Sequence, residues 1–124
     1  MTRQFAFVAV WVVALMLHNQ TVWAGEADVV DVQASKTSSA TYSFDVTVQH
    51  ADTGWDHYAD KWEVLGPDGK VLGTRVLMHP HVNEQPFTRS LSGVQIPQGV
   101  KTVTVRAHDK VHGWGGKTMS VDLP

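Results

Sequence analysis

The 124-residue chain contains no cysteine. That excludes disulfides, thiol catalysis and thiolate metal sites, and leaves His, Asp, Glu and Met as the available metal ligands. It also leaves no attachment point for the thioether-linked lipid of bacterial lipoproteins. Charge of one sign is missing too. Ten Lys and Arg against twelve Asp and Glu give a net charge of −2, with the signs interspersed along the chain. No basic stripe suggests nucleic acid or an anionic membrane surface. No segment has the apolar periodicity of a long helix. GWGGKT lacks the first glycine of a phosphate-binding loop, and no serine or cysteine nucleophile set is visible.

Residues 1–24 read as a cleaved secretory leader, with Arg3 near the start, an apolar run from Phe5 to Leu17, and Val22 and Ala24 at the −3 and −1 positions of a cleavage site. The run is shorter than the roughly 20 residues of a bilayer span. The mature chain is then expected to begin at Gly25, in the periplasm or outside the cell, although cleavage after Ala27 also satisfies the rule. Residues 25–124 suit a single domain.

The stretch from Val103 to Gly116, VTVRAHDKVHGWGG, organises that domain. Its first half alternates as a half-buried strand does, and it runs into a glycine-rich loop with His108, Asp109, His112 and Trp114. Similar alternation predicts strands over Ala27–Ala34, Thr41–Gln49, Tyr58–Leu65, Lys70–Met78, Phe87–Leu91 and Lys117–Leu123. Trp62 belongs to the core, and Gly66-Pro67-Asp68-Gly69 is a turn. Val94 to Gly99 reads as another turn, and Gly113, Gly115 and Gly116 as glycines that serve a turn. About seven short strands with regular turn signals predict an all-β, immunoglobulin-like antiparallel sandwich.

In such a sandwich every second connection falls at the same end, so loops 50–57, 79–86 and 108–116 share a pole. His50, His57, His79, His81, His108 and His112 all lie in or beside those loops, with Asp52, Asp56, Glu84 and Asp109. Imidazoles and carboxylates converging from several loops suit zinc, copper or iron. The expected ligands are His50, His57, His79, His81, Asp109 and His112, with copper favoured because it heads the divalent affinity order and Met78 offers a thioether. A lone loop histidine more often serves only a hydrogen bond, and the case rests on the whole set. In a second reading Trp55, Tyr58 and Trp114 form a stacking platform for a carbohydrate or small ligand. In a third the pole docks a periplasmic protein.

His50 to Trp62, HADTGWDHYADKW, and Asp109 to Trp114, DKVHGW, resemble the iron-binding signature of the superoxide reductase (desulfoferrodoxin) family. The resemblance implies an immunoglobulin-like sandwich with iron, and matches His50, His57 and His112 to histidine ligands. Asp109 stands where that family has its ligand cysteine. A carboxylate is a harder ligand than a thiolate, so the resemblance implies a metal without implying superoxide reduction.

Overall fold

Alternating apolar and polar residues set the strands, and the computed structural model describes residues 25–124. The leader lies outside the described residues. The elements are β1 (Asp28–Lys36), β2 (Thr41–Gln49), β3 (Ala59–Leu65), β4 (Val71–Val76), β5 (Phe87–Gln95), β6 (Thr102–Asp109) and β7 (Met119–Asp122). There is no helix among the described residues. All pairings are antiparallel and form two sheets, β1-β2-β5 and β4-β3-β6-β7.

One face of each sheet supplies the core. Tyr42, Phe44, Val46 and Val48 of β2 meet Trp62 and Val64 of β3 and Val103, Val105 and Ala107 of β6, all buried. The predicted turn closes with Gly69 N–H donating to Gly66 O at 2.9 Å, and Gly69 takes a φ of +80°.

Several features differ from the sequence reading. β5 runs on to Gln95, so the turn starts at Ile96 and not at Val94. Gly93, at φ +69°, takes up a bulge opposite the step from Tyr42 to Phe44, where a turn signal would equally have placed a glycine. β4 stops at Val76, leaving Met78 exposed in the connection, and β7 is trimmed to four residues. At the start of β3, Ala59 pairs with Asp109 and Lys61 with His108, so Asp60 is an extra residue. The bulge turns Ala59 inward beside Trp62, and it rims the pole where the site lies.

The β2–β3, β4–β5 and β6–β7 connections do share one pole, with the residues that precede β1. A Cβ on Gly116 would overlap the Ala27 carbonyl oxygen, and one on Gly115 the Glu26 carboxylate. Lys117 N–H donates to Asp28 Oδ1 at 2.7 Å, and Val29 N–H to Lys117 O at 2.8 Å. Gly116 therefore serves close approach between the β6–β7 loop and the head of β1, a role beyond turning.

Candidate metal centre

His50 follows β2 and keeps the inward parity of Val46 and Val48, so its ring enters the pole and is 3% exposed. Its Nδ1 lies 2.5 Å from Asp52 Oδ1. That carboxylate also accepts from Ala59 N–H at 2.9 Å, and its other oxygen accepts from His81 N–H at 2.7 Å. Asp52 thus ties the end of β2, the start of β3 and the β4–β5 loop together. Gln85 reinforces the arrangement, accepting from His50 N–H at 3.0 Å and donating to His81 O at 3.1 Å.

With Nδ1 committed to Asp52, His50 presents Nε2 to the centre of the pole. It lies 3.2 Å from His57 Nε2 and 2.8 Å from the Gly25 carbonyl oxygen. His57 Nε2–H in turn donates to Asp109 Oδ1 at 3.1 Å. Asp109, the last residue of β6, is fully buried. Its Oδ1 also accepts from Val111 N–H at 2.9 Å and His112 N–H at 2.7 Å, the local turn that an aspartate at a strand end favours. Gly113, at φ +75°, closes that turn by exchanging backbone hydrogen bonds with Asp109. Asp109 Oδ2 is buried with no hydrogen-bond partner.

His50, His57 and Asp109 each offer a ligand atom within 4.8 Å of the other two. For metal–nitrogen bonds of about 2.0–2.1 Å, neighbouring ligands of a tetrahedral ion stand about 3.3 Å apart. The 3.1 and 3.2 Å separations are close to that edge length. His112 flanks the trio, with Nδ1 3.3 Å from Asp109 Oδ1 and its ring centroid 5.0 Å from that of His57.

Charge within the pole is finely set. Burial works against a charged His50, but the hydrogen bond and negative charge of Asp52, the charge of Asp109 and the Gly25 carbonyl outweigh it and raise its pKa above the ordinary value. Burial likewise opposes ionisation of Asp52, yet the His50 ring and the His81 and Ala59 N–H groups lower its pKa. Asp109 follows the same pattern, with the His112 and Val111 N–H donors prevailing over burial. The pole therefore holds two buried carboxylates beside an imidazole whose protonated form they stabilise.

The other expected residues are placed elsewhere. The His81 ring is stacked on Phe87, with centroids 4.0 Å apart, and its Nε2 accepts from Arg89 Nη2 at 2.9 Å. Burial, with the Arg89 charge next, lowers its pKa. His81 meets the trio only indirectly, through its backbone N–H on Asp52. His79 is exposed and leans on the His81 ring. His108 points to the outer face of its sheet, where Nδ1 is 2.6 Å from Asp60 Oδ1. Trp114 stands edge-on to His108 on that face and covers the Arg106 guanidinium at 4.0 Å. Trp55 is 65% exposed and meets the buried Tyr58 edge to face. Sequence reasoning placed Asp52 at the pole but gave it no role, although its position two residues after a buried histidine was the available signal.

A curated protein from Halomicrobium mukohataei, named "Putative lipoprotein", is 45% identical over 97 residues, which is 78% of this chain and 47% of the relative. The chain spans about half the length of the curated relative it matches. No protein-family model matches the chain. No solved structure matches it either. Among the described residues no helix is long and apolar enough to cross a membrane.

Proposed function

We propose that this chain is an exported protein whose immunoglobulin-like sandwich binds one divalent first-row metal ion through His50, His57 and Asp109, with His112 at the rim. The observation that carries the reading is the trio itself, three donors at near-ligand spacing with one carboxylate oxygen left unpartnered in the interior. The Asp52 hydrogen bond to His50 supports it, because metal-binding imidazoles are regularly oriented by a carboxylate on the far nitrogen. Export is supported by the leader-like residues 1–24 and by the name of the Halomicrobium relative. The strand order and Trp62 in the core of the third strand support the immunoglobulin-like assignment.

Two imidazoles and a carboxylate suit iron(II) and zinc as well as copper(II), and the superoxide reductase resemblance adds weight to iron. Copper(II) is expected to bind most tightly by the general affinity order. Titration of the untagged protein with copper(II), zinc and iron(II) should give one equivalent bound. His57→Ala should weaken binding by more than the roughly 10–100-fold typical of losing an orienting partner. Unchanged binding in a His57→Ala, Asp109→Asn protein would remove the assignment. The exposed Trp55 favours a second reading, a stacking site for a carbohydrate, for which sugar binding in the presence of chelator would be the sign.

A further inference from the structure

The Gly25 carbonyl oxygen sits 2.8 Å from His50 Nε2. Asp52 accepts from His50 Nδ1–H, so Nε2 is the ring nitrogen left to face that carbonyl. The Gly25 carbonyl therefore stands beside the ring nitrogen assigned to the metal. Gly25 is also held in place rather than trailing. Ala27, two residues on, is fully buried with Gly116 packed on its carbonyl, and Asp28 is tied to Lys117. An open cleft lined by Gly25, Glu26, Asp28, Gln49, His50 and Asp52 gives this corner access to solvent.

Resting on the metal reading and on cleavage after Ala24, we infer that the α-amino group of Gly25 is itself a ligand of the metal at the pole. In a chain that starts at Gly25, the amine and the carbonyl oxygen are joined through N, Cα, C and O. An ion held by both closes a five-membered chelate ring beside His50 Nε2. The amine would add a nitrogen donor to the His50, His57 and Asp109 set, and glycine has no side chain to obstruct it. In an uncleaved chain the same nitrogen is a peptide amide and a far poorer ligand, so processing would complete the centre.

The test uses the full chain, exported with its own leader, beside a variant with one alanine inserted between Ala24 and Gly25. Cleavage should stay after Ala24 in the variant, since a cut one residue later would place the bulky Trp23 at the −3 position. Mass spectrometry reads the start of each product, and copper(II) alone is the probe. The inserted residue should lower copper(II) affinity at least tenfold and remove one nitrogen from the copper electron paramagnetic resonance spectrum. Equal affinity and equal spectra, or a parent protein that starts anywhere but Gly25, would overturn the inference. If both proteins bind equally and His57→Ala abolishes binding in each, the centre stands without the amine. If neither binds copper(II), zinc or iron(II), the metal reading fails and takes this inference with it.

Discussion

Asp52 accepts hydrogen bonds from His50, Ala59 and His81, which belong to three different segments, so its removal has two separable consequences. Hydrogen bonds to a buried charged group are worth about 1.5–3 kcal/mol each, and Asp52→Ala should cost about 3 kcal/mol or more in a urea titration. Metal affinity should fall by about 10–100-fold because the His50 ring loses its orienting partner. Full affinity in that variant would show that His50 does not depend on Asp52. Trp62 is a contrasting case, fully buried with no part in the proposed chemistry. Trp62→Ala should destabilise the domain by about 3–5 kcal/mol, a large share of the stability of a small domain. A near-neutral effect would remove Trp62 from the centre of the core.

At the scale of elements, strands were legible where the pattern depended on the strand alone. Tyr42, Phe44, Val46 and Val48 alternate without interruption, and every one is buried. Features that depend on a partner strand were not legible. The strand was read as ending at Leu91, whereas pairing with β2 carries it through Ser92-Gly93 as a bulge and on to Gln95. His108 lies in the range of the pole loop but outside the expected ligand set, and the strand's own alternation, which buries Asp109, turns it to the opposite face. Asp52 gains its role from His81, 29 residues away, which no local spacing announces. The glycines give a test at this scale. Gly69→Ala meets only an unfavourable φ with open space around it, at roughly 1–2 kcal/mol. Gly116→Ala must instead push the β6–β7 loop off the Ala27 carbonyl, and overpacking costs about 1–3 kcal/mol or more. It should also loosen the head of β1 beside Gly25, visible as faster amide hydrogen exchange at Val29 than in Gly69→Ala. Equal exchange in the two variants would mean that the loop does not hold β1.

For the molecule as a whole, the pole is where the two sheets are joined by polar groups. His50 extends the three-stranded sheet, while Asp109 ends a strand of the four-stranded one. Two buried carboxylates there require a positive charge, and in the metal-free protein the proton on His50 supplies it. Its folded pKa lies above 6.5, so its contribution to stability is fully present below 6.5 and is lost as pH rises through the folded value. Asp52 and Asp109 have folded pKa values below 3.8, so their contributions are present above 3.8 and are lost as pH falls through the folded values. His81, lowered from 6.5, contributes above 6.5 and loses that contribution as pH falls through its folded value, partly offsetting His50 on the acid side. Denaturant titrations of metal-free protein between about pH 4 and pH 9 should show the His50 contribution fading on the alkaline side, while His81→Gln should keep that alkaline limb and lose part of the fall in stability on the acid side of 6.5. A bound divalent ion replaces the proton as the positive charge and joins the same two sheets. Metal at 100 times its Kd should therefore abolish the alkaline loss and add about 2.7 kcal/mol of stability there. If the alkaline limb is unchanged by metal, or is absent from metal-free His81→Gln, the buried carboxylates are balanced by something other than His50 and the ion.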